Sequence, residues 1–302
     1  MNCPLCSAAR LSILDNIRSD DIVATYRKFC GVDFSYLFST DIKYFSCLGC
    51  DLKFFYPAVT GDEVFYNELQ KIEWYYLSEK NEYIFSSGYI GKFDSVLEVG
   101  CGKGAFAKYV NKEKYVGLDF SENAVLLAKK DDVCVINEDI SSFSTTHPGQ
   151  FDVVVSFQVL EHVSNPDIFL ESMVRSLKKE GKLIVAVPSD DSFLKHVTNG
   201  VLNMPPHHVT RWSDRSLRFV ANKYNLELVK IYHERLQPIH WGWYLSELVQ
   251  NSIIKNKMID RSLARKVVSK IGSIFSKFLL RGFGEGFLPI GHTVVVVYKK
   301  IK

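Results

Sequence analysis

Residues 96–104 read VLEVGCGKG, an apolar run through Glu98 and Val99 that meets Gly100, Gly102 and Gly104 in quick succession. A strand that stops in such a turn leaves bare backbone for a ligand to lie against, because glycine has no Cβ and tolerates tight dihedrals. The run therefore predicts a strand-turn-helix unit and a site for a nucleotide-like cofactor. The glycines do not choose the cofactor, since dinucleotide enzymes use a near-identical turn and ordinary strand-to-helix loops use glycine too.

From Asp94 onward the pattern repeats. Strands are predicted over 95–99, 115–119, 133–137, 152–157 and 182–187, with helices near 105–110, 123–130 and 166–179. Ser121 before Glu122 and Asn165-Pro166-Asp167 are helix starts, and Gly181 is read as the end of the third helix. Alternation of this kind builds a parallel sheet with helices on both faces. A helix over 213–224, a strand over 226–233 and a last strand over 292–299 follow. The 302 residues suffice for a main domain and a smaller appendage. A chain 47% apolar and 24% charged is not a disordered one. The start, MNCPLCSAARL, is not a charged segment followed by an apolar one, and no stretch approaches eighteen apolar residues, so a cytoplasmic protein is expected.

The first 60 residues carry Cys3-Pro-Leu-Cys6 and Cys47-Leu-Gly-Cys50. Each pair sets two thiolates on one turn, and two turns can close a tetrahedron around zinc at about 2.3 Å per sulfur. Four sulfurs leave no open position, so the ion is structural, and it substitutes for a core that so short a segment barely supplies. Cys30 is spare. Residues 61–85 read as helical, with Tyr66, Trp74, Tyr75, Tyr76 and Tyr83 either covering a crevice or packing the domains together.

The net charge of +3 is too small to mark a nucleic-acid binder. Residues 251–281 nevertheless hold eight cations against Asp260 alone, a local excess of +7. Within them Val267, Ile271, Ile274, Phe275, Phe278 and Leu279 recur at helical spacing with cations opposite. Such a helix either packs on the domain with a solvated basic face or meets an anionic membrane surface.

Further residues choose the cofactor. Asp119 ends the second strand, where a carboxylate can accept from both hydroxyls of a ribose. Glu98 precedes the turn, where it would repel a pyrophosphate but suit an ammonium and sulfonium. Glu138-Asp139-Ile140 follows the third strand, and FDVVVSFQVLEHVSNPDIFLESMVRSLKKEGKLIVAVP fills 151–188. The set resembles class I S-adenosylmethionine-dependent methyltransferases with EVGCGxG, GLDxS, EHVxxP and LKxxGxL motifs. The resemblance implies an α/β, Rossmann-like seven-stranded sheet in the order 3-2-1-4-5-7-6 with an antiparallel last strand. By it Glu98, Gly100, Cys101, Gly102, Gly104, Asp119, Phe120, Asp139, Ile140, Phe157 and Gln158 line S-adenosylmethionine. The amino-terminal segment resembles the zinc-binding segment fused to methyltransferases of bacterial sugar, O-antigen and capsule pathways. Together these imply a zinc-binding segment over 1–60, a helical cap over 61–93, and a methyltransferase domain over 94–302 with a basic helical insertion at 235–290. The acceptor implied is a hydroxyl of a sugar, nucleotide sugar or lipid-linked glycan. A quinone or small aromatic acceptor, and a non-catalytic binding or scaffold protein, are the alternatives.

A hydroxyl acceptor needs its proton removed, and histidine is the usual base near neutral pH. His162 in EHV and His207-His208 in MPPHHVTRW offer it, the latter on a loop stiffened by paired prolines. Arg211 suits an anion or a salt bridge. By resemblance to quinone-pathway members of the EHV subgroup, which use an acid and a histidine to hold a divalent cation, a metal at Glu161 and His162 is an alternative, with only these two close ligands named by the sequence.

Overall fold

Two sheets organise the computed structural model, which describes residues 1–72, 80–279 and 289–301 and, of Gln70, Lys277, Phe278 and Leu279, the backbone. The smaller sheet begins with β1 (Leu11–Ile17), followed by helix α1 (Ser19–Cys30), β2 (Ile42–Cys47) and β3 (Lys53–Tyr56), paired antiparallel in that order. Helix α1 buries Ile22, Val23 and Tyr26, one helical stripe, with Ile22 and Tyr26 in a cluster with Phe34 and Phe65.

Helix α2 (Glu63–Gln70), capped by the Asp62 carboxylate at the Phe65 amide, and α3 (Asn81–Ser87) occupy the two ends of the stretch expected to be one helix. Trp74, Tyr75 and Tyr76 lie outside the described residues.

The larger sheet uses β4 (Val96–Val99), β5 (Tyr115–Leu118), helix α4 (Glu122–Lys130), β6 (Val135–Ile136), helix α5 (Ile140–Thr146), β7 (Phe151–Phe157), helix α6 (Pro166–Ser176) and β8 (Leu177–Pro188). After them come the two-residue β9 (Thr210–Arg211), helix α7 (Asp214–Lys223), β10 (Leu226–Arg235), helices α8 (Trp241–Ile253) and α9 (Leu263–Leu279), and β11 (Ile290–Lys300). Its strand order is β10-β11-β8-β7-β4-β5-β6, which in chain order is 6-7-5-4-1-2-3, with β11 antiparallel to both neighbours. That is the order the resemblance implied. Val153, Val154 and Val155 of β7 are all fully buried, as a central strand covered on both faces requires.

Two local expectations change. Helix α6 stops at Ser176, and Leu177 already pairs with Phe151, so residues 177–179 are strand rather than helix. Gly181 is not a helix cap: the left-handed residue there is Glu180 (φ 63°), and a Cβ on Gly181 would lie 2.9 Å from the Lys178 carbonyl and 3.0 Å from that of Asp152. The glycine permits close backbone approach at a register shift. The segment after Gly104 is a single 3-10 stretch, Ala105–Tyr109, not an α-helix.

Strand β9 belongs to the smaller sheet, pairing with β3, although it arises a hundred residues after β4. The Phe55 amide donates to the Val209 carbonyl, the Gly61 amide to Pro206, and the Tyr26 hydroxyl to Val201 and Met204. The amino-terminal unit thus clamps residues 201–211 against the end of β7.

Helix α9 packs on α8 through Val268, Gly272 and Ser276, where a Cβ on Gly272 would stand 2.8 Å from the Ser246 carbonyl. A seam of small residues brings the backbones together. Of the apolar stripe expected from the sequence, Val267, Ile274 and Phe275 therefore face outward, 50%, 56% and 56% exposed, while the side chains of Phe278 and Leu279 lie outside the described residues.

Candidate functional site

Strand β4 ends at Glu98-Val99 and the chain reverses through Gly100 (φ 74°), Gly102 (φ 53°) and Gly104 (φ 75°). All three occupy the left-handed region, but for different reasons. A Cβ on Gly100 would sit 2.4 Å from Val159, and one on Gly104 2.7 Å from Val133. A Cβ on Gly102 would meet nothing within 4 Å, so this is the glycine that leaves an open cradle. The Gly102 amide donates to Asp119 at 2.7 Å and the Ser121 amide to the other Asp119 oxygen at 2.9 Å, fixing that carboxylate at the end of β5.

Glu98 is buried and accepts from the Tyr115 hydroxyl at 2.5 Å. Burial pushes its carboxyl up to about 8, against the lowering effects of Tyr115 and Lys80. Cys101 is buried beside it, and Gly117 makes room for its sulfur. Phe120 stands 77% exposed. Asp139 caps α5 through the Ser141 amide at 2.9 Å, and Ile140 points into the core, so their side chains are already engaged. Phe157 joins an aromatic cluster with Tyr83 (5.0 Å) and Phe106 (4.8 Å). Gln158 adopts φ 57°, a costly conformation for a non-glycine residue, and its amide contacts Glu82 and Thr293 at 3.4 Å each.

Four residues on, the turn after β7 meets the clamped loop. His162, His207 and His208 converge, with one ring nitrogen from each within 4.8 Å of the others. The Val209 amide donates to the Glu161 carbonyl at 2.9 Å, tying the two segments. Glu161 is buried, and its Oε1 lies 3.9 Å from His162 Nε2 and 3.8 Å from His208 Nε2. Burial pushes the Glu161 carboxyl up to about 8 and the His162 imidazole down to about 4. It also holds His207 and His208 well below the usual range, with neighbouring imidazoles adding to the effect. Arg211 forms a buried ion pair with Asp190 at 2.9 Å and donates to the Leu194 carbonyl, so it braces the loop.

Cys3, Cys6, Cys47 and Cys50 place their sulfurs within 4.8 Å of one another, with Cys3–Cys50 and Cys6–Cys47 each at 3.5 Å. Four donors around zinc at 2.3 Å would stand about 3.8 Å apart, so the cage fits a tetrahedral ion. The two turns are alike: the Ser7 amide donates to the Cys3 carbonyl and the Asp51 amide to Cys47, both at 2.9 Å, and Ser7 (φ 58°) and Asp51 (φ 66°) turn the chain away. Cys30 instead donates to the Tyr26 carbonyl.

Sequence reasoning missed the groups that tune these sites. Tyr115 starts β5 yet holds Glu98; Lys80 lowers both Glu98 and Glu161; Glu82 and Thr293 meet Gln158. Only folding brings them together, and no local spacing announces them.

A family profile described as a methyltransferase domain matches residues 70–231. The ubiquinone biosynthesis O-methyltransferase of Klebsiella pneumoniae (strain 342) is 27% identical over 155 residues, 43% of this chain and 63% of its own length. The mitochondrial ubiquinone biosynthesis O-methyltransferase of Dictyostelium discoideum is 27% identical over 122 residues, 34% of this chain and 38% of its own. The chain spans less than two thirds of either relative. Among solved structures, a SAM-dependent methyltransferase from Archaeoglobus fulgidus aligns with a TM-score of 0.50 at 19% identity, covering 79% of this chain and 100% of that one. This last likeness is one of fold.

Proposed function

The chain belongs to the methyltransferase-domain family, and from that premise we propose that it moves the methyl group of S-adenosylmethionine to a hydroxyl of a small-molecule acceptor. S-adenosylmethionine supplies, when bound, a methyl carbon on a cationic sulfur open to in-line displacement. The observation that carries the reading is a buried carboxylate, Glu98, set directly before a turn whose middle glycine is open. Glu98 receives the methionine ammonium, Asp119 the ribose hydroxyls, and the Gly102 backbone the close approach. Gly100 and Gly104 keep the turn tight rather than touching the cofactor. Asp139 and Ile140 contribute backbone at the adenine, since their side chains are engaged elsewhere, and Phe157 and Gln158 close the methionine end. The residues that exclude water and align the acceptor are those of the 158–162 turn and the 201–211 loop, where His208, His162 and His207 are the proton acceptors.

Zinc held by Cys3, Cys6, Cys47 and Cys50 locks the small sheet, and through β9 it fixes that loop. For the acceptor we favour a sugar, nucleotide sugar or lipid-linked glycan, on the fused cysteine unit and on the outward apolar stripe of α9. Lys266 and Lys270 flank that stripe, a pairing suited to an anionic bilayer surface and an acceptor carried on lipid. Among the described residues no helix is long and apolar enough to cross a membrane. The relatives' printed names support a second reading, methylation of a quinone or small aromatic hydroxyl. Incubation with methyl-labelled cofactor and native extract, read by mass spectrometry, tests all of this: label on a glycan or nucleotide sugar supports the first reading and label on an aromatic the second. Bound cofactor with no labelled product in any extract would leave a binding protein.

A further inference from the structure

The carboxyl edge of the larger sheet buries more carboxyl groups than its own cations answer. Glu82 of α3 is 6% exposed and Glu234, near the end of β10, 3%. Burying a carboxylate costs several kcal/mol unless donors, a proton or a cation meet it. Glu234 has two neutral donors, the Thr293 amide at 3.1 Å and Gln237 Nε2 at 3.4 Å. Among the described residues Glu82 has one, Gln158 Nε2 at 3.4 Å, and neither glutamate forms an ion pair with a lysine or arginine. A third acid shows the same deficit independently. Glu161 is buried, and among the described residues neither of its oxygens accepts a hydrogen bond. Burial raises its carboxyl, Lys80 lowers it and Glu82 raises it, so these groups share one electrostatic space in which Lys80 is the cation.

Glu82 and Glu234 are linked through the start of β11. Gln158 Nε2, which meets Glu82, also donates to Thr293 Oγ1 at 3.4 Å, and His292 precedes that threonine. His292 Nδ1 lies 3.3 Å from Glu234 Oε1, which favours the ring proton on Nδ1 and leaves a lone pair on Nε2. Its side chain is 31% exposed, so a ligand reaches it, and His240 stands edge-on to it at 4.9 Å between ring centres. Tyr83, next to Glu82, packs on Phe157, which sets the cluster beside the methionine end of the cofactor cradle. Two carboxylates and an imidazole lone pair are acceptors in want of a charged donor, and an ammonium group brings three donors and the missing positive charge. We propose that Glu82, Glu234 and His292 bind an ammonium group carried by the methyl acceptor, which makes that acceptor an amine-bearing molecule and, if it is a sugar, an amino sugar. The inference rests on the methyl-transfer reading. The amine is a handle, and the methyl group still goes to a hydroxyl on the His162 side of Gln158. A neutral sugar or a quinone ring would leave both carboxylates unanswered. The cofactor carries an ammonium too, but Glu98 receives that one at the end of β4.

The test is a ligand-detected NMR titration of the full chain, loaded with adenosylhomocysteine, using glucosamine, N-acetylglucosamine and glucose as probes. Only the first carries a cationic amine, and it should bind about tenfold more tightly than either neutral sugar. Glu82→Gln and Glu234→Gln should each remove most of that preference while Tm and adenosylhomocysteine affinity stay close to those of the unaltered chain. His292→Gln, at a partly exposed position, gives the same reading where a glutamate variant fails to fold. Failure of the unaltered chain to prefer glucosamine overturns the proposal, as does a preference indifferent to all three substitutions. Loss of adenosylhomocysteine affinity in a Glu82→Gln chain that keeps its Tm overturns it too, by giving the ammonium to the cofactor. Sugar binding is read without turnover, so the two readings fail separately: amine preference with no labelled product removes methyl transfer, and labelled neutral acceptors with no amine preference remove the ammonium site.

Discussion

The cofactor side and the acceptor side of the crevice are built differently. The first, as proposed, comes mostly from one stretch, Glu98 through Ile140, whose strands and turns follow each other directly, with Phe157 and Gln158 added from the end of β7. The second gathers the turn after β7, the clamped loop and α2, with Tyr66 edge-on to His162 at 6.0 Å between ring centres. Its placement depends on the amino-terminal unit, whose sheet β9 completes. Sites made of one contiguous motif can be read and broken one residue at a time. Sites made by clamping distant segments respond to changes far from the chemistry.

The largest effect is expected within the glycine turn. Gly100→Ala forces a Cβ onto Val159 in a left-handed conformation, and should lower stability by about 3 kcal/mol and abolish cofactor binding in calorimetry. Gly102→Ala has open space around it and should cost only about 1 kcal/mol while still blocking the cofactor. Equal destabilisation by the two would break the distinction between packing and binding glycines.

Next comes the clamp. Replacing Cys47 and Cys50 by Ser should release zinc and lower Tm by about 10 °C, and turnover should fall while adenosylhomocysteine affinity changes little. Loss of both together would mean that the two sides are not separately built.

A smaller effect, with a sign set by burial, falls on Glu98. Its pKa rises from 4.5 to about 8, so between those values the folded chain holds a proton that the unfolded chain has lost. Stability from this group declines as pH rises through that window and is level above it. A ligand ammonium favours the ionised form and expels the proton, so cofactor affinity should climb between pH 6 and 8 and then level. Glu98→Gln should weaken binding about tenfold at pH 8, flatten the climb, and raise Tm at that pH. Smallest is Ile274→Ser with Phe275→Ser, which should reduce flotation with anionic vesicles about fivefold and leave stability within about 0.5 kcal/mol.

The strand ends and turns proposed to hold the cofactor were legible as local structure because their signals are local. Glu98, Asp119 and the glycines sit at fixed offsets from strand ends, and Ser121 and Asn165 cap α4 and α6 as read. The cysteine pairs were legible for the same reason, each being one turn. The helix over 166–179 overran because Leu177 satisfies helix and strand alike, and only its pairing with Phe151 decides. Asp139 and Ile140 show a different gap: position marked them, but capping and core packing occupy their side chains. The outward stripe of α9 was unreadable because helix periodicity finds an apolar face without saying which face a Gly272 seam will bury. His207 and His208 were noticed as a pair, yet their convergence with His162 needed a strand shared between two sheets.

The central claim is that the turn at 98–104 cradles S-adenosylmethionine, and calorimetry with adenosylmethionine, adenosylhomocysteine and NAD tests it most directly. One site per chain for the first two, with heat abolished by Gly102→Ala and none for NAD, is the expected result. Binding of NAD alone would contradict it.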